Sequence, residues 1–130
     1  EYAPQAAHHL ARGYEREAQR LLEEGEPGQA ADALLEALEI PGIAGTARLR
    51  VLLGMAHLDL ACEQLAAAVE EEPDAGTGAL AIELLARTLP LRGRDADAAQ
   101  VWRYGLDHPD PELAAEVRLR MGRDLGRSVP

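Results

Sequence analysis

Arginine is the residue type best placed to do chemistry in this chain. All 13 basic side chains are arginines, set against 23 carboxylates. A guanidinium keeps its proton at neutral pH and offers a planar fork of donors, so it grips carboxylates well and serves poorly as an acid or base. Residues 11–24, 47–60, 79–92 and 115–127 together hold 11 arginines and 8 acids, while the rest of the chain holds 2 arginines and 15 acids. Near-neutral segments therefore alternate with strongly acidic ones.

Patterns suited to catalysis or metal binding are not found. The chain has no Gly-rich phosphate loop, no serine in a strand–turn–helix elbow and no His-Glu-x-x-His pair. His8 and His9 are adjacent, so on a helix they point about 100° apart and cannot chelate one metal. His57 and Asp59, two apart, do not face each other, and His108 before Pro109 reads as a helix C-terminal residue favoured by the dipole. Cys62 is the lone cysteine, which excludes an internal disulfide and any multi-cysteine metal site; it reads as a small apolar filler. Glu70, Glu71 and Glu72 end a helix with three acids, a solvated end or, on a sharper reading, a docking patch for a basic partner. The expectation is a protein that is not an enzyme, with no cofactor and no metal.

The elements that position these side chains are helical. Apolar residues are mostly Ala and Leu, with no Phe and few β-branched residues, so helix formers dominate. Periodicity and punctuation predict about seven helices, near 5–24, 27–40, 46–60, 62–72, 77–91, 95–107 and 111–125. Pro27, Thr46 and Thr77 as N-caps, and Asp110 followed by Pro111, mark starts, while Gly25, Pro41–Gly42, Pro73 and Pro109 mark stops. Short loops make successive helices antiparallel hairpins within one domain over 1–130. No continuous apolar run approaches a bilayer span, and the net charge of −10 repels nucleic acid and anionic membranes, so neither is an expected partner and a soluble, cytoplasmic setting is expected. A start at Glu1 rather than Met suggests a piece of something longer.

Two stretches superpose at an offset of 68 residues. Ala18, Leu21, Gly25, Ala30, Leu34, Ala37 and Pro41 match Ala86, Leu89, Gly93, Ala98, Trp102, Gly105 and Pro109. The offset is twice a 34-residue period. A small residue in a first helix, a turn, two alanines in a second helix and a closing proline resemble the tetratricopeptide repeat, with repeats at about 11–44, 45–78 and 79–112 and a terminal helix at 111–125. The resemblance implies an all-α, right-handed α-solenoid of stacked helix hairpins, capped by a last helix whose solvated face carries Arg118, Arg120, Arg123 and Asp124.

The second repeat departs from the pattern, because Gly54 to Ala61 spans too few residues for a helix, turn and helix. Either one helix runs from about Thr46 to Glu72 or a turn near Leu60, Ala61 and Cys62 has been omitted. The stripe Val51, Met55, Leu58, Cys62, Leu65 and Val69 permits the fused helix. Ala61, Leu65, Ala68 and Pro73 fit a repeat's second helix well enough to favour the omitted turn.

In the resembled family the first helix of each repeat lines a concave groove. That implies groove positions at Arg12, Glu15, Arg16, Gln19, Arg48, Val51, Leu52, Met55, Leu80, Glu83, Leu84, Arg87, Leu119, Arg120 and Arg123. The expected function is a protein–protein interaction module, with arginines pairing carboxylates of a bound segment and Leu52, Met55 and Leu84 offering an apolar floor. Glu15, Gln19, Leu52, Leu80 and Leu84 stand where chaperone-tail-binding members carry basic and amide residues; only Gln19 is compatible, so chaperone-tail binding is not expected. The alternatives are a regulatory segment of a larger signalling or transcription-control protein, and a self-assembly scaffold in which terminal helices join copies.

Overall fold

A computed structural model describes the backbone over residues 2–128 and side chains over 5–123; Asp124 lies outside the described side chains. The described chain is all-α: α1 (Tyr2–Glu23), α2 (Pro27–Leu38), α3 (Thr46–Glu70), α4 (Ala75–Thr88), a short 3-10 turn (Leu89–Arg92), α5 (Asp95–Leu106) and α6 (Pro111–Ser128). It divides into two compact units, residues 1–60 and 61–130.

In the first unit α1 packs on α2. Ala18, Leu21, Ala30, Leu34, Ala37, Leu49, Leu52 and Ala56 form its core, with Tyr14, Ile43, Leu53 and Met55 packed around it. Alanines at the contact let the helix backbones approach closely, and Leu34 and Leu49 fill what remains. In the second unit α4 packs on both α5 and α6, and α5 on α6. One core cluster joins Ala75, Ala79, Ile82, Leu113 and Val117, and another joins Cys62, Leu85, Leu89 and Ala98. Cys62 is a buried thiol, as its filler role predicts.

The 68-residue correspondence is followed by the backbone. α2 and α5 start and stop at equivalent residues, 12 residues each. Both are entered through the same glycine turn. Glu26 N–H donates to Leu21 O (2.8 Å) and Gly25 N–H to Leu22 O (3.1 Å); Arg94 N–H donates to Leu89 O (3.0 Å) and Gly93 N–H to Pro90 O (2.9 Å). This pair of bonds ends a helix by a left-handed residue, and Gly25 and Gly93 stand there at φ 77° and 73°. Leu49 and Val117, also 68 apart, are both fully buried. Gly105 replaces the alanine of α2 for a steric reason. A Cβ on it would lie 2.9 Å from Val117 Cγ2 and 3.2 Å from Ile82 Cγ2, closer than packed carbons tolerate.

Two expectations are corrected. The helices expected at 46–60 and 62–72 are one: α3 runs unbroken from Thr46 to Glu70, through Leu60, Ala61 and Cys62. No glycine or proline interrupts Met55 to Val69, and helix propagation there costs less than the nucleation of a second short helix. Thr77 does not cap α4. Asp74 does, its carboxylate accepting from Thr77 N–H at 3.1 Å, and hydrogen bonding by the Thr77 hydroxyl first and its backbone N–H second lowers the Asp74 pKa. Asp110 caps α6 as expected, accepting from Glu112 N–H at 3.0 Å.

Because it is continuous, α3 is by length and mean hydropathy long and apolar enough to cross a membrane, contrary to the expectation from single apolar runs. Asp59 and Glu63 sit in its middle, where one buried acid costs about 2.5–3.5 kcal/mol in a bilayer. Leu49, Leu52, Ala56 and Cys62 on the same helix are buried by the protein itself.

Candidate binding cavity

The first unit holds a cavity of about 340 Å³ lined by His8, Ala11, Arg12, Glu15, Arg16, Gln19, Ala44, Gly45 and Arg48. α1 supplies one wall, because His8, Arg12, Glu15 and Gln19 recur at spacings of four, three and four residues and so share a face. Ala11, Ala18 and Leu21 turn the neighbouring face into the core, which fixes the polar stripe outward. The other wall is the start of α3. Gly45 turns the chain at φ 65°, its position 3.8 Å from Glu15 Oε2 if extended by a Cβ, and Arg48 projects from the first helical turn. That turn carries no acidic residue of its own, and the Glu15 carboxylate of α1 stands beside the positive end of the α3 dipole.

Three guanidinium groups and one carboxylate are among the groups that line the cavity. Arg48 Nε lies 3.4 Å from Glu15 Oε1, with the Arg48 side chain 76% exposed and that of Glu15 only 15% exposed. Glu15 is thus the shielded partner and steadies an arginine that stays open to solvent. Arg12 and Arg16 are exposed, and among the described residues no ion pair engages either one. A hollow of about 520 Å³ lined by Gln5, His8, His9 and Arg12 adjoins it. Among the described residues no group of three or more His, Cys, Asp or Glu is placed to hold a metal.

Of the residues singled out by sequence, Arg12, Arg16, Gln19 and Arg48 meet in this cavity. Leu52 is instead in the core of the first unit, 8% exposed, and Met55 is half-buried against that core. His8 was not among the expected groove residues, although the stripe 8, 12, 15, 19 contains it. Gly45 carried no sequence signal beyond being a turn glycine.

The second unit uses its arginines differently. Arg87 Nε donates to Glu83 Oε2 at 2.9 Å, and Arg120 Nη1 donates to Glu83 Oε1 at 2.8 Å. Arg87 Nη2 also donates to the Arg120 carbonyl at 2.9 Å, and its guanidinium stands 5.5 Å from the centre of the Trp102 ring. Burial pushes the Glu83 carboxyl up, but the two arginine hydrogen bonds outweigh it and hold its pKa below the ordinary value. Arg120 Nε is buried without a hydrogen bond, 3.6 Å from Glu116 Oε1. Arg87 and Arg120 therefore tie α4, α5 and α6 together. Leu80 and Leu84 on α4, and Leu119 and Arg123 on α6, are exposed, as is Val51 on α3.

A wider cleft of about 780 Å³ in the second unit is lined by Glu70, Glu72, Asp107, Arg103, Gln100, Val69, Pro109, Tyr104 and His108. Tyr104 and His108 meet edge to face at 5.6 Å, and His108 Nδ1 accepts from Asp110 N–H at 3.1 Å. That bond assigns the Nδ1 lone pair to structure.

Comparison of the chain with protein families, with curated proteins and with solved structures finds no match.

Proposed function

We propose that this chain is a non-catalytic protein-interaction module of the tetratricopeptide kind, in which helix hairpins present an arginine-lined surface to an acidic segment of a partner protein. The observation that carries the reading is the cavity of the first unit, where Arg12, Arg16 and Arg48 face one space with only Glu15 to offset them. Support for the repeat architecture comes from the shared helix limits and glycine turns of α2 and α5. A rigid helical wall loses little ordering free energy when a ligand docks, and guanidinium forks pair carboxylates in bidentate geometry.

The test is fluorescence polarisation with a labelled glutamate-rich peptide and its glutamine counterpart. The wild-type protein retains the acidic peptide and releases it as salt is raised, while the Arg12→Glu/Arg16→Glu variant binds at least about tenfold more weakly. Equal binding by wild type and variant would sink the assignment.

A second reading, self-association through the last helix, is favoured by the exposure of Leu119 at 59%. Sedimentation of wild type against Leu119→Gln separates the two: an unchanged monomeric mass in both removes the self-association reading.

A further inference from the structure

We infer that the cavity of the first unit is built for a dianionic phosphomonoester carried by a peptide, a phosphorylated serine or threonine, and prefers it to a side-chain carboxylate. The inference rests on the proposed binding role of this same cavity and specifies the head group it takes.

Three arginines and one carboxylate line the cavity, a balance of two positive charges. A glutamate side chain neutralises half of that balance. A phosphomonoester carries roughly −1.5 to −2 at neutral pH and three acceptor oxygens, and so can engage several guanidinium groups at once. The donors approach from two directions. Arg12 and Arg16 are one turn apart on α1, and Arg48 comes from the start of α3 across the space. Such a converging set suits a tetrahedral group with oxygens on several sides better than a planar carboxylate.

The arginines are also kept available. Glu15 holds Arg48 through Nε at 3.4 Å, which leaves the Nη groups of an exposed guanidinium to reach a ligand. Gln19 adds a neutral amide to the lining, and His8 adds an imidazole, with no second carboxylate to repel an anion. The cavity, at about 340 Å³, is at the small end of ligand sites, so it admits a head group and leaves the rest of a peptide outside along α1. Four arginines outside the cavity are committed instead, Arg20 to Glu17 and Glu24, Arg94 to Asp97, and Arg87 and Arg120 to Glu83, while Arg50, Arg103, Arg118 and Arg123 are exposed and line no part of this cavity.

The test follows the arginine Nε–H signals of the whole ¹⁵N-labelled chain by NMR. The probes are three blocked alanine-glycine peptides that differ only at a central phosphoserine, glutamate or serine. Inorganic phosphate and phosphatidic-acid vesicles complete the set. The expected result is that the phosphoserine peptide shifts Arg12, Arg16 and Arg48 and saturates at least about tenfold below the glutamate peptide. Its binding also tightens as pH rises through about 6, where the second phosphate proton leaves. Arg12→Gln/Arg16→Gln, at exposed positions, keeps the helical circular dichroism and loses those shifts.

If glutamate and phosphoserine peptides bind the same arginines equally, the phosphate preference is overturned and the acidic-segment reading stands. Shifts confined to Arg94 or Arg103 overturn both. Tighter binding of free phosphate or of vesicles than of the phosphopeptide overturns the peptide as the source.

Discussion

The two units answer the same problem, an acidic residue on the outer side of a first helix, with opposite outcomes. Glu15 and Glu83 are 68 residues apart and nearly equally shielded, at 15% and 13% side-chain exposure. Glu15 meets one arginine at 3.4 Å and leaves Arg12 and Arg16 facing a cavity. Glu83 collects two arginines at 2.8 and 2.9 Å, one of them also over Trp102. The difference arises on the following helix. Leu52 fills the core in the first unit, and its 68-residue counterpart is Arg120. An arginine in a core slot must find an internal carboxylate, so Glu83 is taken for stability. With a leucine in that slot, the first unit leaves Arg12, Arg16 and Arg48 at the cavity.

The largest effect expected from breaking this comparison is Glu83→Ala. It leaves Arg120, 17% exposed, without its shortest ion pair and lowers unfolding free energy by about 2–3 kcal/mol in urea melts. The matching change in the first unit, Glu15→Gln, costs under about 1 kcal/mol because Arg48 is already in water. Equal losses would mean that the two carboxylates do the same work.

Gly105→Ala comes next. The added methyl meets Val117 and Ile82, whose branched side chains have little rotamer freedom, so strain exceeds the roughly 1 kcal/mol of helix propensity gained. A net destabilisation of about 1–2 kcal/mol is expected by thermal melting. A stabilised variant would show that α6 can give way.

Acid sharpens the contrast further. The folded-state pKa of Glu83 is lowered, so its contribution is complete above the ordinary value of 4.5 and fades as pH falls through the lower folded value. Stability measured downward from pH 5 should therefore drop faster in wild type than in Glu83→Gln, whose baseline is already lower. The smallest effect on stability belongs to Arg12→Glu/Arg16→Glu, within about 0.5 kcal/mol of wild type because both positions are exposed. Chemical denaturation checks it, and a larger loss would mark these arginines as structural.

Much of this architecture is legible in the sequence. Gly25 and Gly93 announce the turns, and the alanine pairs announce the close helix contacts. The continuity of α3 was written in the stripe from Val51 to Val69, but the fit of Ala61 to Pro73 to a repeat's second helix outweighed it. Local helix propensity then prevailed where no breaker stood. The cavity was half legible: the spacing of Arg12, Glu15 and Gln19 gives one wall, while Arg48 and Gly45 arrive through tertiary structure. The fate of Arg120 was recoverable from its place opposite Leu52, since an apolar slot marks a side chain that must go inside.

The glycine of α5 sets a limit on how freely such hairpins can be shuffled. α2 and α5 have the same length, the same entry turn and equivalent ends, the outward marks of exchangeable parts. Yet α2 carries Ala37 where α5 needs no Cβ at all, so a graft of α2 into the place of α5 brings one methyl too many against Val117. The second hairpin is keyed by a single missing carbon to the helix that follows it, and that key limits what can be exchanged into its place.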